Sequence, residues 1–388
     1  LVLIHESLGD NHHFLHALSD ALSSCKAAPG WVEGSGVGPM PEPLTDEERR
    51  LLQGVEGDGE WLVQPFPAEL GSQLWSPGLR LGVKADGPYA TGASRLPLLS
   101  LLKVSGVDEA ISLQNRRCRG GVAIIYTLND EVRKRWRKAV AASHQGINCC
   151  PAPQPGIIPG GSRGDVCFAP NPCGSNLPAV FCRWEEVARP QRRGKQRDVP
   201  FSPWEQLQPK PDPEDFTRLT AAADSISYWW TEEFGKRHLL DPKPGETTEL
   251  SYRPVSVCLR VEESCSNADL GIALMAALRA GCETHLSCAT MRPWMQRELA
   301  PLGVSICEES RSDYQERFTD FARRGVRVRD WDATSETLRA AAACGLEIDT
   351  APVVSNGRLE MLHGLRELVV TRRTARYGNL HDDDGSAG

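Results

Sequence analysis

The apolar positions of this chain follow two rhythms that take turns along its length. Leu1–His5 is a short apolar run that predicts a strand. Asn11–Cys25 follows, with Leu15, Leu18 and Leu22 on one helical stripe. Thr45-Asp46-Glu47-Glu48 has the spacing of a capping box, and Gly54 is placed to close the helix it opens. Trp61–Val63, Leu79–Val83 and Leu98–Val104 read as strands. The best-patterned run of the first half is Val104–Asn148. Ser105 caps a short helix carrying Val107, Ala110 and Ile111. Gly121–Leu128 is apolar and β-branched and predicts a buried strand. Asn129 caps a helix on which Val132, Trp136 and Val140 recur every four residues, and Gly146–Asn148 starts another extended piece.

The rhythm stops at Pro151–Pro200, which is rich in Pro, Gly and Arg. Asp212–Lys236 restores a helix, with Ile226, Trp230 and Phe234 on one apolar stripe that suits a core. From Ser251 strands and helices alternate. The strands are Val255–Val261, Thr284–Ser287, Val304–Cys307 and Val326–Arg329. The helices are Ala268–Ala280, Pro293–Leu302, Asp313–Arg324 and Ser335–Cys344, with Gly281 and Gly325 as stops. Pro352–Val354 and Leu359–Thr374 complete the series. Such alternation predicts a mostly parallel sheet covered by helices on both faces, a Rossmann-like α/β shape. The predicted divisions are 1–150, a linker and hairpin region 151–211, a helical lead-in and Rossmann-like domain 212–380, and an acidic disordered tail 381–388.

Composition narrows the function classes. The 388 residues suffice for two or three domains, and the net charge of −7 gives no bulk attraction to nucleic acid or an anionic membrane. No apolar run approaches the roughly 20 residues of a transmembrane helix. Leu1–Ile4 lacks a basic flank and a cleavage site, so a signal peptide is not expected, and the chain reads as starting inside a longer protein. The thirteen cysteines are scattered, odd in number and without a C-x-x-C pair, which favours reduced intracellular thiols. The vicinal Cys149-Cys150 reads as a strand end with ordinary thiols.

Several patterns invite chemistry and are better read as structure. His12 and His16 stand four apart, a zinc spacing, but no third ligand or glutamate base follows. Cys282, His285 and Cys288 sit in one short run, yet a strand turns 285 away from the other two. The basic run Ala188–Asp198 has no aromatic between its arginines, so it reads as a solvated linker and no nucleic-acid partner is expected. The turn after the first strand of the C-terminal alternation, Glu262–Asn267, lacks glycine and carries two carboxylates where a pyrophosphate would lie.

Three stretches carry a resemblance. They are Asp108–Asn115, Thr127–Val132 and Gly146–Asn148; Trp75–Lys84; and Gly357–Leu362 with Leu365–Glu367 and Arg376–Leu380. Together they resemble the late catalytic domain and C-terminal domain of aldehyde dehydrogenases. The branch is that of the L-glutamate γ-semialdehyde (pyrroline-5-carboxylate) dehydrogenase modules of bifunctional proline-catabolism enzymes. The resemblance implies an incomplete aldehyde-dehydrogenase-like catalytic domain followed by a Rossmann-like domain that relatives use structurally. It implies NAD as cofactor of the complete enzyme, with none expected for this chain alone. It also implies a homo-oligomer, and a partner in the NAD-binding half or an upstream proline dehydrogenase domain. The implied compartment is cytoplasmic in bacteria and mitochondrial in eukaryotes.

That chemistry needs a thiolate nucleophile, oxyanion donors, a hydride acceptor and a base. In relatives the cysteine, the base and the nucleotide cradle precede a stretch like Leu1–Glu6, so no catalytic residue is nominated here. Downstream, the resemblance aligns Ala93 with the glutamate that holds the nicotinamide ribose and Arg95 with the neighbouring phenylalanine. Loss of that carboxylate costs on the order of 1.5–3 kcal/mol in cofactor positioning. Asn148-Cys149 stands for an asparagine–arginine pair, and Gly156, Ile157, Gly160 and Gly161 are the candidates for a substrate-carboxylate loop. The alternative function is a non-catalytic scaffold or oligomerisation module of the same fold.

Overall fold

The computed structural model describes residues 1–54, 57–68, 73–91, 95–117, 121–149, 211–373, 375–376 and 379–380, with isolated positions between 176 and 199. Two compact units divide it, Leu1–Arg117 and Cys118–Gly388.

The first unit runs β1 (Val2–His5), α1 (Glu6–Gly9), α2 (His12–Ser23), β2 (Lys26–Ala27), β3 (Ser35–Val37), α3 (Asp46–Gln53), β4 (Glu60–Val63), β5 (Gly78–Leu81), α4 (Pro88–Thr91), β6 (Leu98–Val104) and α5 (Val107–Arg117). Its sheet has the order β1-β6-β5-β4, with parallel pairs except at β4. The Leu15, Leu18 and Leu22 stripe of α2 packs on Ile4, Leu79, Leu81 and Leu101 of that sheet. The capping box of α3 forms in both directions, and Gly54 ends the helix at φ 69°, a left-handed backbone that glycine adopts without strain.

The second unit opens with β7 (Val122–Ile125), α6 (Asp130–Ala139), β8 (His144–Ile147) and α7 (Pro213–Trp229), which a π-helical turn, Trp230–Phe234, extends. β9 (His238–Lys243) and β10 (Glu246–Pro254) form an antiparallel hairpin. Then come β11 (Val257–Val261), α8 (Asn267–Ala280), β12 (Thr284–Cys288), α9 (Pro293–Leu299), β13 (Ser305–Glu308), α10 (Arg311–Glu316), α11 (Phe318–Arg324), β14 (Arg327–Arg329), α12 (Ser335–Ala343), β15 (Ile348–Asp349), α13 (Gly357–Leu362) and β16 (Leu365–Arg373). One sheet is wholly parallel in the order β13-β12-β11-β14-β15, the Rossmann-like shape expected from the alternation. The other is mixed, β7-β8-β16-β10-β9. The main core joins Leu219, Ile226 and Phe234 to the apolar face of α8 and to β11, with Met361 and Val369.

Four sequence expectations change. Gly121–Leu128 is a strand only to Ile125, and it is an edge strand, with Tyr126 and Leu128 68% and 72% exposed. Asn148 explains the early end: its side-chain amide donates to Thr127 O and accepts from Thr127 N, replacing the next rung of the ladder. Pro352–Val354 is not a strand; Ile348–Asp349 pairs with β14 instead. A side chain already takes up the Val354 N–H, which donates to Glu360 Oε1. The helix expected over Asp313–Arg324 is two helices meeting at Arg317. Finally, the first strand of the alternation, expected over Val255–Val261, begins only at Val257, and Ser251–Pro254 ends β10. The tail 381–388 and most of 151–211 lie outside the described residues. Among the described residues no helix is long and apolar enough to cross a membrane.

Candidate functional site

Arg95 is the one described residue of the two aligned with cofactor contacts; Ala93 lies outside the described residues. Its guanidinium is engaged on every side. Nε and NH2 donate to the two oxygens of Glu48, NH1 donates to Glu42 Oε2 at 3.0 Å, and NH2 also reaches Pro43 O at 3.2 Å. Glu48 is at the same time the N3 residue of α3, accepting from Thr45 N at 2.8 Å and Thr45 Oγ1 at 3.0 Å. The Arg95 hydrogen bonds, followed by those from Thr45, hold the Glu48 carboxyl down at about 2. Arg95 therefore ties its own loop to the start of α3, and its charge is answered within the fold.

At the end of β8, Asn148 has φ 53°, the only non-glycine residue with positive φ among those described. Asparagine tolerates this because its short amide bonds locally, here to Thr127. Cys149, aligned with the arginine of the family pair, is buried, with its thiol 3.6 Å from Thr371 O. It presents no positive charge to a substrate. The loop candidates Gly156, Ile157, Gly160 and Gly161 lie outside the described residues.

The parallel sheet of the second unit has a topological switch point between β11 and β14, where α/β proteins place ligands. Here the strand ends carry Glu262 and Asp330, and Arg311 bridges them at 2.6 and 2.8 Å. Arg260, buried beneath, donates to Glu262 at 2.8 Å and to Ser287 Oγ at 2.9 Å. The N-terminus of α8 is capped by Ser266, whose Oγ accepts from Asp269 N. Two carboxylates and their own counter-ion occupy the position of a dinucleotide phosphate, so these residues do not fit that group.

The described cysteines whose ionisation is shifted are all shifted upward. Burial pushes Cys258 up to about 12, and Cys265, Cys282 and Cys288 up to about 11. A nucleophile needs the opposite shift. Among the described residues no group of His, Cys, Asp and Glu could hold a metal ion. His16 pairs with Asp20 on the surface of α2.

One constellation escaped the sequence reading. Arg358 at the start of α13 grips Glu233 with Nε and NH2 at 2.7 and 2.8 Å. The same NH2 donates to Asn176 Oδ1 at 2.8 Å. Asn176 Nδ2 donates to Glu367 Oε1 at 2.7 Å and to the Tyr252 hydroxyl at 3.2 Å, while Tyr252 donates back to Glu233. Asn176, Tyr252 and Glu367 are buried, and burial pushes the Glu367 carboxyl up to about 7. Alongside, Arg329 donates to the fully buried Glu360 at 2.7 Å. Gly357 lets α13 touch α7: a Cβ there would stand 2.3 Å from Ile226 N. The signal was present, since Arg358, Glu360 and Glu367 are charges set among core residues of the C-terminal motif.

No family model matches this chain, and no curated protein sequence matches it. Solved structures do. Proline Utilization A (PutA) from Corynebacterium freiburgense is similar over 98% of this chain at 20% identity, with a TM-score of 0.68. This chain spans 35% of that one, about a third of its length. An aldehyde dehydrogenase from Bacillus cereus in complex with NAD+ matches 42% of this chain and 33% of its own at 17% identity, with a TM-score of 0.36. A betaine aldehyde dehydrogenase from Staphylococcus aureus matches 41% and 32% at 17% identity, also at 0.36. The PutA likeness shows the fold alone: an α/β architecture shared with about a third of that longer protein.

Proposed function

We propose that this chain is the C-terminal portion of an NAD-dependent L-glutamate γ-semialdehyde dehydrogenase, and that alone it neither binds NAD nor turns over. The observation that carries the reading is the likeness to PutA along 98% of the chain. The sequence motifs Trp75–Lys84 and Gly357–Leu362 support the same branch. NAD, when bound to the complete enzyme, accepts the hydride. The nucleophilic thiol, the base and the nucleotide cradle come from residues outside this sequence, in the same polypeptide or in a partner. This chain supplies the frame against which they close.

Two positions favour the inactive state. Arg311 with Glu262 and Asp330 fills the strand-end crevice of the parallel sheet, and Arg95 is clamped by Glu42 and Glu48. The Arg95 clamp also gives weight to the second reading, a scaffold or oligomerisation module without catalysis. The test is an assay of the isolated chain with pyrroline-5-carboxylate and NAD, following NADH absorbance. No turnover is expected, and turnover above background overturns the proposal. Co-expression with a segment carrying the cysteine and the NAD-binding domain should then restore activity. Failure of that pair to turn over, with both parts folded, leaves the scaffold reading.

A further inference from the structure

Arginines of the second unit gather on one face of the mixed sheet. Along β10, Arg253, Ser251 and Glu249 alternate with the buried Tyr252, Leu250 and Thr248, so they face the opposite side. In the antiparallel register Arg253 lies directly opposite Arg366, and Glu249 opposite Val370. Val370 in turn pairs with Gln145, whose amide donates to the backbone of α6 at Arg137 O and Val140 O. The helix α6, with Arg133 and Arg137, therefore lies on the same side as Arg253. Arg237 stands just before β9. Burial, and then the nearby charges of Arg237, Arg253 and Arg133, hold the Arg137 guanidinium below its usual range, and Glu249 is the carboxylate that opposes them.

Guanidiniums cannot escape by losing a proton. Like charges directly opposite each other on a sheet are destabilising. Arg133 has Asp130 at 3.2 Å, but Arg137, Arg237 and Arg253 have no ion-pair partner among the described residues. In a chain of net charge −7 this is a local excess of positive charge. An anion arriving there removes repulsion as well as adding attraction.

We propose that this face, built by Arg137, Arg237 and Arg253 with Arg133 and Arg366 at its margin, is a docking surface for a carboxylate-rich protein segment. The side chains of Arg237, just before β9, and Arg253, near the end of β10 beyond its pairing with β9, are exposed, so the surface suits a macromolecule rather than a small anion, which takes a concave site. Tyr252, the aromatic of β10, points to the opposite, buried face, so the arginines have no stacking platform from that strand for bases. The acidic balance of the whole chain also repels a long polyanion while admitting a short acidic segment. A planar guanidinium fork matches carboxylates in pairs.

The experiment uses the whole chain and a fluorescent twelve-residue polyglutamate peptide, read by anisotropy at low and moderate salt. Binding should weaken by roughly tenfold as salt rises. The double variant Arg237→Gln/Arg253→Gln should bind at least about tenfold more weakly. A control, Arg297→Gln/Arg323→Gln, removes the same charge from α9 and α11 and should leave binding unchanged. Equal loss in both variants, or no loss in the first, overturns the proposal. So does tighter binding of a single-stranded oligonucleotide of equal charge, which would assign the face to nucleic acid. A readout without any ligand stands beside these. At low salt Tm of the double variant should rise above that of the wild type, and the gain should vanish at high salt. A fall in Tm overturns the unpaired reading of these side chains.

Discussion

Arg95 and Arg358 make the same bond and live by different physics. Each grips a glutamate with two nitrogens, Glu48 in the first unit and Glu233 in the second. Arg95 is answered at the surface, where its other partner Glu42 is 76% exposed. Arg358 closes a network whose members Asn176, Tyr252 and Glu367 are buried. At the first place the pair ties a loop to a helix cap beside water. At the second, charges set in the core hold α7, α13, β10 and β16 together.

The comparison predicts unequal costs of breaking a pair. The largest belongs to Arg329→Met, which strips Glu360 of its counter-ion and leaves it only the Val354 N–H among the bonds described above. Breaking a buried pair on one side costs about 3–5 kcal/mol. Urea unfolding should show this, with most of it recovered in Arg329→Met/Glu360→Leu, because both charges are then gone. A loss below about 1 kcal/mol would make the buried pair behave like a surface one and remove the distinction.

Next in size is the pH dependence carried by Glu367. Its carboxyl rises from an ordinary 4.5 to about 7 in the folded chain, burial being the main cause, with the Asn176 amide and the charges of Arg327 and Arg358 opposing and Glu233 adding to it. A raised value means the folded state holds the proton more tightly. The stabilisation is fully present below 4.5 and is lost as pH rises through about 7. At 1.36 kcal/mol per unit this amounts to about 3 kcal/mol. Glu367→Gln should flatten the stability profile between pH 5 and pH 8, as judged by denaturant midpoints. A profile with the wild-type slope would remove Glu367 from the network's energetics.

Local signals were legible and distant ones were not. The capping box at Thr45–Glu48, the Asn129 cap and the Leu15–Leu22 stripe all formed as read, because each is decided within a turn or two. The β9–β10 hairpin was overlooked, although its turn carries Pro244-Gly245, with Gly245 at φ 77°. Pro242 lies within the first strand, which an edge position tolerates. Asn176 gave no local hint at all: its partners stand 76, 182 and 191 positions away. The charges of Arg358 and Glu367 were visible, yet only the fold shows that they face one another.

A smaller effect is expected at Asn148, whose amide ends the β7 strand. Asn148→Ala removes both bonds to Thr127 and places a side chain less suited to φ 53°. Two neutral hydrogen bonds and the left-handed backbone together suggest a loss of about 2 kcal/mol. Hydrogen exchange at Thr127 should accelerate before that of β8. Unchanged protection at Thr127 would mean the amide does not replace the ladder rung.

The smallest effect on stability, and the most direct reading of the first unit, comes from Arg95→Phe, which restores the residue type of the resembled pattern. Arg95 is 30% and Glu42 76% exposed, and Glu48, though largely covered, keeps its Thr45 bonds in the variant, so Tm at neutral pH should fall only slightly. What should move is the titration of Glu48. Its carboxyl, held at about 2 chiefly by Arg95, should return toward its ordinary 4.5, with the Thr45 bonds still pulling it down. A depressed value contributes stability above the ordinary one and loses it as pH falls toward 2, so any advantage of the wild type over the variant is present at neutral pH and disappears in acid, and the variant has the flatter profile. Carbon-detected NMR of the Glu48 side chain between pH 1.5 and 6 separates the causes. A midpoint that stays near 2 in the variant would credit the helix cap, and Arg95 would then be a bystander to the charge it touches.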